Sequence, residues 1–204
     1  MSTAHAHTAV LLIDPYNDFL HPDGKMYKAM SASLEATNTV KHILDLLAAA
    51  RSNKIPVFYG LHQQYNAESF YGWTQMKPLH ESQKAGKVFE EGSWGAKIYE
   101  GMEPKPENGD LIFSKHWSSS SFQNTDLDFL LRQRTITNVV IAGLTANACV
   151  ESTARYAYDL GYHVTLLSDA TASFTQEQKL AATEVSWPLF ASKVVTVEEY
   201  VASL

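Results

Sequence analysis

Asn138–Gly161 reads NVVIAGLTANACVESTARYAYDLG. Its first six residues form a continuous apolar run rich in Val and Ile, the pattern of a strand covered on both faces. Ala146–Leu160 reads as the helix that follows, closed by Gly161, the residue expected just past a helix C-terminus. A buried strand running into a helix is half of a βαβ unit, and five further runs of the same kind occur. They are Ala9–Asp14 (AVLLID), Pro56–Gly60 (PVFYG), Asp110–Ser114 (DLIFS), His163–Ser168 (HVTLLS) and Lys193–Val197 (KVVTV). Helical patterns separate them. In Ser33–Asn53, Val40, Ile43, Leu44 and Leu47 make one apolar stripe. Thr125 with Asp128 three residues on reads as a capping box ahead of Leu127, Leu130 and Leu131. Gln176–Phe190 is a further helix, with Pro188 tolerated near its end. This alternation predicts right-handed crossovers and an α/β fold, a three-layer α-β-α sandwich with a six-stranded parallel sheet.

Composition narrows the function. The chain has 204 residues, so residues 1–204 read as a single domain. Sixteen Lys+Arg against 22 Asp+Glu give a net charge of −6 without a basic stripe, so no nucleic-acid partner is expected. One cysteine excludes an internal disulfide framework and a cysteine-based zinc cluster. The opening MSTAHAHTA carries no leader pattern, and no apolar run approaches a membrane span, so a cytoplasmic protein is expected. His62–Glu100 is the one irregular stretch. It is too long for an ordinary connection and too aromatic for a linker, and it reads as a lid or an oligomer-contact segment.

In parallel α/β sheets ligands bind at the carboxyl ends of the strands. Three reactive residues fall there: Asp14 closes the first run, Lys115 follows DLIFS, and Cys149 lies in the first turn of the helix after Gly143. Each alone reads blandly, as a turn former, a solvated cation and a small buried hydrophobe. Brought into one crevice, the ammonium and the helix N-terminus favour a thiolate, and the carboxylate can take the thiol proton.

The motifs around them resemble those of the isochorismatase-like cysteine hydrolase superfamily over nearly the whole chain. AVLLIDPYNDF carries Asp14, IFSKHWSSSSF carries Lys115 and GLTANACVESTAR carries Cys149. The resemblance implies an Asp14–Lys115–Cys149 catalytic triad. It also implies a cis peptide at Leu144–Thr145 and an oxyanion hole formed by the Thr145 and Cys149 amides. The activity implied is cysteine-dependent hydrolysis of an amide, carbamoyl or lactam C–N bond of a small molecule through a thioester. The alternatives are an isochorismatase-type ether hydrolase releasing pyruvate, or a non-catalytic binding or thiol-sensing protein. By the same resemblance a homo-oligomer, dimer or tetramer, is expected.

The nicotinamidase branch of that superfamily binds a divalent metal through an Asp-x-His motif and a further His. Here the region reads FYGLHQQYNAE, with His62 alone, so no metal or other cofactor is expected. The candidate pocket residues are Phe19, Trp73, Trp94, His116 and Trp117, suited to a flat or cyclic substrate. Strand-like alternation after Lys115 favours His116 pointing away from the site.

Overall fold

The computed structural model describes residues 5–204; residues 1–4, part of the stretch read for a leader, lie outside it. The strands are β1 (Thr8–Ile13), β2 (Val57–Gly60), β3 (Leu111–Ile112), β4 (Asn138–Leu144), β5 (His163–Ala172) and β6 (Lys193–Val195). All pair in parallel, in the order β3-β2-β1-β4-β5-β6. The helices are α1 (Asn17–Leu20), α2 (Tyr27–Ala36), α3 (Thr39–Ser52), α4 (Pro78–Gly86), α5 (Leu127–Gln133), α6 (Glu151–Asp159), α7 (Gln176–Leu180) and α8 (Val197–Ala202). Among the described residues no helix is long and apolar enough to cross a membrane.

The continuous apolar runs serve two cores at once. Along β1, Val10 and Leu12 enter one core and Ala9, Leu11 and Ile13 the other, and each of these five side chains is fully buried. Along β4, Val140, Ala142 and Leu144 alternate in the same way with Val139 and Ile141. Successive side chains on a strand point to opposite faces, so a strand between two helical layers is apolar at every position. Each buried Leu or Ile contributes about 1.5–3 kcal/mol relative to exposure.

Three local expectations are corrected. The stripe Val40, Ile43, Leu44 and Leu47 lies within α3, but the range Ser33–Asn53 is divided between α2 and α3, because Asn38 between them takes a left-handed conformation (φ 48°) that Asn tolerates. Thr125 and Asp128 form no capping box. Thr125 Oγ1 donates to Ser121 O at 2.6 Å, and Asp128 is engaged by Arg132 and Tyr162. β5 runs on to Ala172, beyond the expected Ser168, because after an irregularity in register Thr171 and Ala172 pair with Gly143 and Leu144.

The long stretch after β2 packs back over the strand ends. Asp18, buried in α1, accepts the Phe89 N–H at 2.7 Å, and its own N–H donates to Gly95 O. Tyr16 stacks on Phe89 with ring centroids 4.4 Å apart, and Phe19 meets the same ring edge-on. α4 and Phe89 are thereby held over the carboxyl ends of β1 and β4.

Gly143 has φ 114°, and a Cβ there would overlap the backbone of Ile13 on the adjacent strand. Both the dihedral and the approach of β1 to β4 require glycine. Gly143→Ala is expected to lower unfolding free energy by more than about 2 kcal/mol, read as a fall in the urea midpoint. An unchanged midpoint would contradict the close approach.

Candidate active site

Between β1 and β4 the chain order of the sheet reverses, and the crevice outside such a switch point is where parallel α/β sheets hold ligands. Asp14 ends β1 there in a left-handed conformation, φ 51°, with its N–H donating to Gly60 O at 2.7 Å. A short polar side chain is among the few that accept this backbone, and it turns the carboxylate under the sheet edge. Cys149 comes from the other side, in a π-type turn, Ala146–Val150, that leads directly into α6. The Leu144–Thr145 peptide before it is cis.

Asp14, Cys149 and His116 meet there, with their carboxylate, thiol and ring-nitrogen atoms all within 4.8 Å of one another. Asp14 is 1% exposed, His116 0% and Cys149 9%. Asp14 Oδ1 accepts the His62 backbone N–H at 2.6 Å and lies 3.2 Å from His116 Nε2. The other His116 nitrogen, Nδ1, lies 2.6 Å from Ser118 O. A carbonyl and a carboxylate are both acceptors, so both ring nitrogens carry protons and His116 is an imidazolium. Burial pushes its pKa down, but the Asp14 charge and these hydrogen bonds win and raise it above 6.5. Burial likewise pushes the Asp14 carboxyl up. The His116 charge and hydrogen bond, with smaller help from His62 and the Cys149 thiol, hold it below its ordinary 3.8.

The thiol behaves differently from the sequence expectation of a thiolate. Burial, and then the Asp14 charge, push Cys149 well above its ordinary value, while hydrogen bonds from the Thr145 and Cys149 amides oppose this only in part. The resting group is a protonated thiol beside a carboxylate.

Lys115 is not part of this cluster. Its Nζ donates to Gln64 Oε1 at 3.0 Å, and it makes no ion pair with Asp14. The reason lies in the register of two strands. Phe58 pairs with Leu111 and Tyr59 with Ile112, but beyond the strands His62 pairs with His116. Three steps on the β2 side are matched by four on the β3 side. One extra residue reverses which face each side chain takes. His116 therefore turns inward, against the alternation argument, and Lys115 and Trp117 turn elsewhere.

A cavity of about 290 Å³ opens onto the sulfur. Its walls are Phe19, Met26, Leu79, Val88, Phe89 and Phe174, with Thr145, Ala148 and Cys149 at its base and His62, Ser82, Gln83 and Ser119 as its polar side chains. Of the candidate pocket residues only Phe19 lines it. Trp73 and Trp117 pack against each other, 5.0 Å between ring centroids, and against Phe70, while Trp94 stands edge-on to His21. They are diverted into aromatic packing within the long segment and its surroundings. Gln83 and Phe174 carried no motif in the sequence. Phe174, two residues past β5, could have been suspected from the strand-end rule, whereas Gln83 is brought in only by the folding back of α4.

The Asp14, His116 and Cys149 donor atoms are also close enough to share a metal ion. Both nitrogens of His116 are engaged as donors, however, leaving the ring no lone pair for a metal. The set is a hydrogen-bonded relay in its present arrangement.

A family model, Isochorismatase domain, matches residues 8–199. The chain is 30% identical over 205 residues to a ureidoacrylate amidohydrolase of Agrobacterium fabrum, covering 96% of this chain and 89% of that one. Among solved structures it is similar to N-carbamoylsarcosine amidase of Thermoplasma acidophilum, with TM-score 0.65, 26% identity and coverage of 93% and 95%. An isochorismatase family protein of Desulfovibrio vulgaris shares the fold at TM-score 0.78, with 22% identity and coverage of 97% and 99%.

The charge state of His116 has a measurable consequence. Its folded pKa is raised above 6.5, so its stabilising contribution is full below that pH and is lost as pH rises through the folded value. The Asp14 contribution runs oppositely, present above 3.8 and lost as pH falls through its lowered value. The melting-temperature gap between wild type and His116→Gln is therefore expected to be widest near pH 6 and to shrink towards pH 9. A gap constant across that range would rule out the imidazolium.

Proposed function

The chain belongs to the isochorismatase family, and on that premise we propose that it is a hydrolase that cuts a C–N bond of a small amide or ureide through a thioester. Cys149 is the nucleophile, Asp14 its base, and His116 the cation paired with that base. One observation supports the reading: the Cys149 thiol, on the lining of a cavity sized for a small molecule, lies within 4.8 Å of the buried Asp14 carboxylate and the His116 ring nitrogen. The names of the ureidoacrylate and N-carbamoylsarcosine relatives support the C–N bond as the target.

Asp14 takes the thiol proton as the sulfur bonds to the substrate carbonyl carbon, so the thiolate exists only as it is used. The carbonyl electrons move onto oxygen, and the Thr145 and Cys149 N–H groups receive the oxyanion. Each such donor is typically worth about 2.7–4 kcal/mol in the transition state. Collapse breaks the C–N bond while the proton held by Asp14 passes to the leaving nitrogen. Water then gives a proton to Asp14 and its oxygen to the thioester carbon. The released sulfur recovers that proton, leaving the acid product and the resting enzyme. His116 remains an imidazolium throughout and keeps Asp14 ionised between transfers. Lys115, the cation expected from the family resemblance, takes no step in this scheme because its ammonium is engaged with Gln64.

A panel of small amides and ureides, assayed for ammonia with intact-mass detection of the acyl-enzyme, tests the scheme. Cys149→Ala is expected to abolish both signals. His116→Ala is expected to lower kcat/KM by about 10²-fold and Lys115→Ala by less than about threefold. Equal losses in those two variants would return the role to Lys115. Pyruvate release from isochorismate surviving in Cys149→Ala would replace the thioester route with ether hydrolysis driven by Asp14.

A further inference from the structure

Two buried polar atoms of the cavity walls, His62 Nε2 and Gln83 Oε1, have no hydrogen-bond partner among the described residues. His62 is 3% exposed and Gln83 also 3%. A single carbonyl orients both. Gln63 O lies 3.0 Å from His62 Nδ1 and accepts from Gln83 Nε2 at 2.6 Å. Since a carbonyl only accepts, the His62 proton is on Nδ1 and the Gln83 amide nitrogen faces Gln63. The groups left over, a ring nitrogen lone pair and an amide oxygen, are both acceptors. Burial, the largest influence on His62, holds its pKa below 6.5, so the ring is neutral and Nε2 stays an acceptor at physiological pH. Among the described residues, no Lys, Arg, Asp or Glu lines the cavity.

We propose that this cavity selects uncharged substrates that donate N–H hydrogen bonds, with His62 and Gln83 as the specificity-determining acceptors. The chemical class is a neutral primary carboxamide or monosubstituted urea carrying a short apolar arm. Buried acceptors left unpaired are costly, so a ligand supplying N–H groups gains twice, by bonding and by relieving them. A carboxylate entering the same space finds no cation among the lining residues and two unpartnered acceptors within the walls. The proposal rests on the reading of this cavity as the substrate site of a hydrolase.

Binding to the Cys149→Ala protein, measured by titration calorimetry, tests it without turnover. The probes are two matched pairs: N-propylurea against N-carbamoylglycine, and butyramide against succinamate. The neutral member of each pair is expected to bind at least about tenfold more tightly. Gln83→Leu, and separately His62→Phe, added to Cys149→Ala are each expected to weaken the neutral amides at least about fivefold. Both are expected to leave methyl butyrate, which has no N–H, unaffected. Using two variants on different elements guards against one of them misfolding. Acids binding as tightly as their neutral partners, variants that weaken amide and ester alike, or no binding of any probe would each overturn the inference. Those failures are distinct from failure of the hydrolase reading, which is decided by Cys149-dependent turnover in the wild type.

Discussion

A carboxylate taken out of water must be surrounded by donors, and the site is organised around meeting that demand for Asp14. Isolated, such a buried charge neutralises itself by taking up a proton. Here an imidazolium, a backbone N–H and a thiol all point at it, and it stays ionised. Each donor arrives from a different strand end: His62 from beyond β2, His116 from beyond β3 and Cys149 from beyond β4. The four-strand edge is therefore tied together by the same charge that serves as base. The strained backbone at Asp14 and the bare backbone at Gly143 let the two central strands approach closely enough for this to happen.

The same burial divides the two histidines that touch at 5.2 Å between ring centroids. His116 has an acceptor at each nitrogen, one of them charged, and is held as a cation. His62 has an acceptor at one nitrogen only and stays neutral. Their difference follows from partners and not from residue type. A side chain that supplies charge and one that supplies a lone pair thus sit edge to face, and only the second lines the cavity. The segment anchored by Asp18 and Phe89 packs beside them, and their burial strengthens the electrostatic interactions between them.

Much of this was legible in the chain itself. Continuous apolar runs separated by 3.6-period stripes require a parallel sheet between two helical layers, because no other arrangement hides both faces of six short strands. The strand-end rule, with the three motifs, then brings Asp14 and Cys149 to one edge, since parallel strands place all their carboxyl ends on the same side. The glycine before the nucleophile turn and the aromatic character of the segment after β2 were visible in the same way.

What only the tertiary structure decided is which cation meets the carboxylate, what state the thiol rests in, and which side chains wall the cavity. The cation depends on one extra residue after β3 relative to the stretch after β2, and alternation counted along a single strand cannot detect a slip that exists only relative to its neighbour. The thiol's protonation depends on burial and on the distance to Asp14, quantities with no signature in local sequence. Gln83 and Phe89 enter the cavity because a buried aspartate far away in sequence pins their segment down. Patterning sets the layers through the local geometry of each element, whereas the contents of the crevice are set by contacts between elements.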